Sequence, residues 1–464
     1  MKKNSRLLAL LLALILLVFP ACSISGIYEE TTEADTTVPK TTETVIPEST
    51  EEPSVSVVVP PQTEPETTHP HTSEETTSLY PPHDGETVRV LVQNSKSEAF
   101  TSEFADGDTA TYLSAREAAL LADHNTVIRV SASADIVDRI KTGVQTDNND
   151  FDFLLLNAKA GAELLTYGAL EALSEVGIDI TPKTAGVRES LTDSMSVGGA
   201  VYFIACDALI SDIGALRVVE YNGAQLSSDP AKMAADGDFT LELMLSYIAE
   251  LKTDSFSVDQ NSMLALFCAV GGEIFVKGEN GIPLSALAED KDFAEKYGDA
   301  LSLVKNDSQS NRTAAFTVTG ISPTRDGITN LPLPKASADA EYETLVDAGS
   351  LTILAAPVGV VDGIRLAKLF NCLCVASTDL RVAERAKYID EKNQYSEQIF
   401  SILENSAKLD LGIFLGWGDL DEYIADSLSS GKSAADLLGD RITTMRNKAV
   451  ETAAGILAER LNIK

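Results

Sequence analysis

The stretch Asp150-Phe151-Asp152-Phe153-Leu154-Leu155-Leu156 decides how this chain folds. It is of strand length and nearly unbroken in apolar side chains from 151 to 156, the pattern of a strand covered on both faces. Residues 160–167 follow at helical spacing, and Gly168 stops them. Upstream, residues 134–145 place Ile136, Val137, Ile140 and Val144 on one helical face, and residues 126–130 read as a strand. Residues 109–122 predict a helix with Tyr112, Ala115, Ala119 and Ala122 on its packed side, and residues 88–92 predict another buried strand. Strand and helix alternating in this way imply a parallel α/β layer with right-handed connections. Downstream, Val197-Gly198-Gly199-Ala200 reads as a turn between short strands, the second over 201–205. At the far end, residues 434–461 predict one long helix, packed through Leu437, Ile442, Met445, Ala449 and Ile456.

The chain begins differently. Lys2, Lys3 and Arg6 precede an apolar run over 7–19. That run is too short to cross about 30 Å of hydrocarbon as a permanent helix, so residues 1–21 read as a secretory signal peptide. It ends Phe19-Pro20-Ala21-Cys22, which resembles a lipobox and implies a diacylglyceryl group on Cys22. Residues 22–86 are rich in Thr, Glu, Ser and Pro, as in Thr63-Glu64-Pro65-Glu66-Thr67-Thr68. Such a segment has too little apolar surface to offset the entropy of ordering it, and reads as a disordered stalk. The expected place of the protein is therefore the extracellular face of the cell membrane, held by lipid.

The formal net charge is −34. Residues 23–86 hold 14 acidic residues and one Lys, leaving the rest acidic as well. This argues against nucleic acid, which is bound by neutralising phosphates with Lys and Arg. His69, His71 and His83 fall in the stalk, where a metal would have to order its own site, and no metal or cofactor is expected. Cys206, Cys268, Cys372 and Cys374 lie in apolar runs and read as buried thiols, with at most one bridge among them. Cys372 and Cys374 have no second pair or nearby His to complete a zinc set. No P-loop, His-Glu-x-x-His or Gly-x-Ser-x-Gly motif occurs. His124, in Ala122-Asp123-His124-Asn125, reads as a residue at a helix end rather than a catalytic base. The chain is accordingly read as no enzyme.

From residue 150 onward the order of segments resembles the extracellular solute-binding proteins of sugar-type ABC importers, the maltose-binding-like group (family 1). The resemblance is carried by Asp150-Phe151-Asp152-Phe153-Leu154, by Gly168-Ala169-Leu170-Glu171-Ala172-Leu173, and by the segment from Ser190 through Gly199-Ala200-Val201-Tyr202-Phe203. Val218-Val219-Glu220-Tyr221-Asn222, Asp238-Phe239-Thr240 and Leu331-Pro332-Leu333-Pro334-Lys335 follow in the same order. Phe239 stands where relatives carry Trp, and Trp417 is the one Trp of the chain. The resemblance implies an α/β, two-lobed periplasmic-binding-protein (type II) fold with a hinge, over residues 87–464. Lobe one would take about 87–215 and 347–390, and lobe two about 216–346 and 391–464.

A ligand would lie where strands deliver their carboxyl ends to the crevice. Asn157 ends one strand there, and Asp207 follows the expected strand 201–205. Ser211, Asp212 and Tyr221 flank the first crossing, and Ser350 marks the return. Trp417 lies between Gly416 and Gly418, which would leave one ring face open. The reading that follows is a monomeric receptor that hands a carbohydrate-like solute to an ABC permease. A non-transporting sensor or adaptor of the same fold, favoured by the scarcity of Trp, and a surface glycan hydrolase remain as alternatives.

Overall fold

The computed structural model describes residues 85–93, 100–178, 186–251, 255–288, 291–305, 314–359 and 362–463. The expected signal peptide, Cys22, and the expected stalk up to residue 84 with its three histidines lie outside the described residues.

The first lobe begins β1 (Glu86–Gln93), α1 (Gly107–His124), β2 (Thr126–Ser133), α2 (Ile136–Thr146), β3 (Phe153–Asn157), α3 (Ala158–Tyr167). β1 runs parallel to β2, from Glu86 beside Thr126 to Gln93 beside Ser133, and parallel to β3 through Val90–Phe153. Val88, Val90, Leu91 and Val92 are buried. Gly168, at φ 78°, ends α3 by donating its N–H to the carbonyls of Leu164 and Leu165, an αL cap.

Two expectations are corrected here. α1 buries Leu113, Arg116 and Leu120, while Tyr112, Ala115 and Ala122 stay exposed. Both faces have helical period, and the one with two leucines removes more apolar area from water. Its Arg116 is tolerated because the guanidinium donates to the carbonyls of Ala208 and Phe100. Residues 201–205 form no ladder strand. Their one bridge is Ile204–Leu354. The turn before them is present, bridged Val197–Ala200 with Gly198 and Gly199 at positive φ.

After α4 (Glu189–Ser194) and the single turn α5 (Ser211–Gly214), the chain enters the second lobe. This holds β4 (Arg217–Tyr221), α6 (Pro230–Asp236), α7 (Leu241–Leu251), β5 (Phe256–Val258), α8 (Met263–Ala269), β6 (Phe275–Lys277), β7 (Pro283–Ser285), α9 (Lys291–Lys305), β8 (Phe316–Gly320) and β9 (Thr329–Leu331). Its main sheet has the order β5-β8-β4-β9, with β4 antiparallel to both neighbours and β5 parallel to β8. Tyr221 and Tyr247 stack on Phe316 at 5.1 and 6.0 Å in its core.

The return passes β10 (Thr344–Leu345) and β11 (Thr352–Ala355), and β11 pairs antiparallel with β3 to complete a first sheet of order β11-β3-β1-β2. The outward and return passages touch: Leu216 bridges Val346, and the Asp347 N–H donates to the Ala215 carbonyl at 2.8 Å. Two lobes with their own sheets, joined by adjacent strands, make a two-lobed α/β fold with a hinge at these residues.

The C-terminal part threads both lobes. α10 (Gly363–Ala376) and α11 (Thr378–Ala386) pack on α1. α12 (Ser396–Asn405) packs on α6 and β9, β12 (Ala407–Lys408) pairs with β10, and α13 (Leu411–Leu415) packs on α3. α14 (Leu420–Ser429) lies on α8 and α9, followed by α15 (Ala434–Leu438) and α16 (Arg441–Arg460). The expected single helix over 434–461 is thus broken at Gly439-Asp440, where the Asp440 side chain caps α16 by accepting the Ile442 N–H. The break resets the helical phase. Leu437, Val450, Ala454 and Leu457 face inward, whereas Ile442, Met445 and Ile456 are 47%, 63% and 50% exposed and Ala449 is exposed too.

Candidate functional site

At the carboxyl end of β3, Asn157 leaves the sheet and caps α3, its side-chain oxygen accepting the Ala160 N–H at 2.9 Å. Asn is suited to this place because its amide bonds the first free N–H groups of a helix and keeps donors for another partner. Facing it stands the hinge. Arg217 of β4 donates to Asp347 of the return passage at 2.7 Å, and the same carboxylate accepts from Gly349 N–H at 3.0 Å and Ser350 Oγ at 2.7 Å. Between these elements lies a cavity of about 950 Å³. Asn157, Lys159 and Tyr167 line it from the first lobe, Arg217 and Asp347 from the hinge, and Asn261 and Leu264 from the second lobe. Trp417 and Asp421 close it from the C-terminal segment.

Two ion pairs stand in the wall of the cavity. Lys141 pairs with Glu163 at 2.6 Å and Arg217 with Asp347. Burial holds the Asp421 carboxyl above the usual carboxylate range, against the backbone N–H groups of Glu422 and Asp421. Lys159, Arg460, Asp419 and Glu422 line it as well, so the chamber offers amides, an aromatic side chain and charged groups of both signs.

Of the residues expected to bind ligand, the structure brings Asn157 and Trp417 to this cavity. Ser350 stands behind it, holding Asp347. Trp417 is only 7% exposed. Its flanking glycines adopt φ 65° and 67°, and a Cβ on Gly418 would meet the Arg446 carbonyl at 2.9 Å. They serve the path of the chain rather than baring a ring face, which corrects that expectation.

Asp207 and Asp212 do not line the cavity. They sit in a buried ion network with Arg188 and Arg381, in which Arg381 holds Asp212 at 2.5 Å and Glu404 of α12 at 2.5 Å. Burial pushes the Asp207 carboxyl up, against the pull of Arg188 and Arg381. Ser211 pins the hinge: its Oγ accepts the Thr352 N–H at 2.9 Å and donates to the Thr352 carbonyl. Tyr221 packs in the second lobe's core and donates to the Ala224 carbonyl. None of these four lines the cavity.

Arg217, Asp347, Asn261, Tyr167 and Asp421 were not singled out from sequence. No local motif marks them, and only the approach of the two crossing passages assembles them.

A second cavity, of about 530 Å³, lies on the other side of α13. Asp410 borders it and caps α13, accepting Gly412 and Ile413 N–H through Oδ1 and Phe275 N–H at 3.3 Å through Oδ2. Burial pushes its carboxyl up to about 7 despite those donors. Among the described residues no group of three or more His, Cys, Asp or Glu side chains is placed to hold a metal, and no helix is long and apolar enough to cross a membrane.

No protein-family model matches the chain, and no curated protein matches it by sequence. Among solved structures it is similar to a cyclo/maltodextrin-binding protein complexed with maltotetraose. The TM-score is 0.49 and the identity 12%, over 83% of this chain and 99% of that one. It is also similar to an ABC transporter solute-binding protein from Thermotoga lettingae TMO bound with alpha-D-tagatose. There the TM-score is 0.45 and the identity 12%, over 80% of this chain and all of that one.

Proposed function

We propose that this chain is a lipid-anchored extracellular receptor that captures an uncharged polar solute, a carbohydrate by preference, and presents it to an ABC importer. The observation that carries the reading is the 950 Å³ cavity beside the two-strand hinge, lined by amide, carboxyl and aromatic groups from both lobes. A pyranose presents hydroxyls for Asn157, Asn261 and Asp421 and C–H faces for Tyr167. Closure of the lobes about Leu216 and Val346 would bury it. Anchoring on Cys22 and delivery to a permease complete the proposal.

The test is a thermal-shift and calorimetric screen of mono- and oligosaccharides beside amino acids and polyols. A sugar should bind, and Asn157→Ala and Asn261→Ala should each weaken it about tenfold or more, the loss of one well-made contact. A hit indifferent to both substitutions would place the site elsewhere. For the anchor, mass spectrometry of the N-terminal peptide should find acyl groups on Cys22, and a bare peptide would refute that part alone.

A second reading rests on one observation, the raised carboxyl of Asp421, which is what a general acid of a glycan hydrolase requires. Of the other carboxylates in the wall, Asp347 is engaged by Arg217, Gly349 and Ser350, Glu163 by Lys141 and Asp419 by Arg446, which leaves Glu422 as its partner. Release of reducing ends from a sugar polymer, abolished by Asp421→Asn, would decide for it.

A further inference from the structure

We infer that the outward face of α16 is a docking surface for a second protein, one that presents an amphipathic helix with an apolar seam and acidic flanks. The residues whose spacing predicts an inward face, Ile442, Met445, Ala449 and Ile456, stand exposed. The face that does turn inward is another one, Thr443, Val450, Ala454 and Leu457. At about 100° per residue the centres of the two faces lie about 130° apart around the helix. α16 therefore carries two apolar faces, and the body of the protein uses one.

The spacing of the exposed set says what shape covers it. With the exposed Thr452 it runs 442, 445, 449, 452, 456, in alternating steps of three and four. That is the seam by which one helix packs along another at a small crossing angle. Its length is about 21 Å, from 14 rises of about 1.5 Å each. A lipid surface needs no such register, and the helices that lie on one carry Trp, Phe or Leu on the apolar face. α16 has no aromatic residue, and its one Leu is buried.

The charges beside the seam set the sign of the partner. Arg441 and Lys448 flank it on one side and Arg460 on the other, all exposed, and among the described residues none of the three pairs with a carboxylate. Arg446, nearer the body, is already held by Asp419 and the Gly418 carbonyl. Of the helix's two carboxylates, Glu459 stands one step past the seam and Glu451 about 140° around the axis from it. Three unpaired cations on one face are set in a chain of 36 basic and 70 acidic residues. A second copy of the chain would bring basic flank against basic flank, which opposes pairing. A helix with carboxylates at its flanking positions meets them with opposite charge. Ile456 and Arg460 also line the 950 Å³ cavity, so a helix seated on the seam ends at the rim of that cavity.

The experiment uses the full chain carrying Cys22→Ser and a labelled synthetic peptide of three heptads, with Leu at its seam positions and Glu at the flanking ones. Fluorescence anisotropy at low and high salt reads the affinity. The parent should bind this peptide about tenfold or more tightly than the same peptide with Lys in place of Glu, and more weakly as salt is added. Met445→Glu should weaken binding about tenfold or more, by placing a charge in the seam. Lys448→Glu should weaken the Glu peptide and strengthen the Lys peptide, each about threefold. Both residues are exposed, and circular dichroism should find both variants folded. Equal affinity for the two peptides, binding that ignores Met445→Glu, or no binding of either peptide would overturn the inference. A dimer of the parent that Met445→Glu dissolves in sedimentation would overturn it in favour of a second copy. Co-sedimentation with phosphatidylglycerol vesicles that Met445→Glu abolishes would overturn it in favour of lipid. None of these readouts involves a solute, so they stand apart from the receptor reading.

Discussion

Asp410→Asn isolates a single buried carboxyl whose protonation is coupled to folding. In the unfolded chain this group ionises near 3.8, and in the folded protein near 7. Its folded value is raised, so the stability it contributes is fully present below pH 4 and is lost as the pH rises through 7. Between those limits the unfolded state gains an ionised carboxylate that the folded state does not. A shift of about three units at about 1.4 kcal/mol each sets a ceiling of about 4 kcal/mol, reached above pH 7. The residue keeps some exposure to the 530 Å³ cavity, so the measured span should fall below that ceiling. Asn retains the oxygen that caps Gly412 and Ile413 and cannot ionise. With that oxygen in place its NH₂ faces the Phe275 N–H, donor against donor, at a cost of about 1 kcal/mol. Urea unfolding of parent and variant at pH 4, 5.5, 7 and 8.5 measures the difference, in which every other titrating group cancels. The variant should be equal or slightly weaker at pH 4 and more stable by about 2–3 kcal/mol at pH 8.5. A difference that stays constant across the range would show that Asp410 is ionised throughout, and that burial does not govern it.

Three further outcomes follow from packing. Arg381→Met should cost about 2–3 kcal/mol in denaturant unfolding, because Asp212 and Glu404 would lose the cation they share and keep only Arg188 at 3.8 Å and Arg385 at 2.9 Å; a loss under 1 kcal/mol would mean the network is wet. Gly412→Ala should cost about 1–3 kcal/mol, since a Cβ there would stand 2.1 Å from the Phe275 ring; an unchanged urea midpoint would show that the ring moves aside freely. Met445→Glu should leave the urea midpoint within about 0.5 kcal/mol of the parent, because that face of α16 is exposed; a large drop would restore the inward face that the sequence suggested.

The limits of sequence reasoning appear in particular residues. The strands β1 to β3 and helices α2 and α3 were legible because each carries its own period, and Gly168 is a local stop. The packed face of α1 was not, since alanines and leucines both recur at helical spacing and only the sheet beneath chooses between them. Asn157 was visible as the end of a strand. Arg217 and Asp347 were not, being 130 positions apart and joined only by a fold that crosses twice at one place. Asp207 and Asp212 were read as open to ligand because the sequence shows a carboxylate without showing the arginine that will meet it.

What the sequence determined alone is therefore what is set within one or two helical turns: the alternating strands and helices from β1 to α3 and the stop at Gly168. Tertiary structure alone decided which helical faces turn inward, which carboxylates are consumed by arginines, and where a cavity opens. The physical reason is range. Hydrophobic period and capping act between neighbours a few residues apart, whereas burial, ion pairing and the hinge depend on residues brought together from passages of the chain separated by an entire lobe.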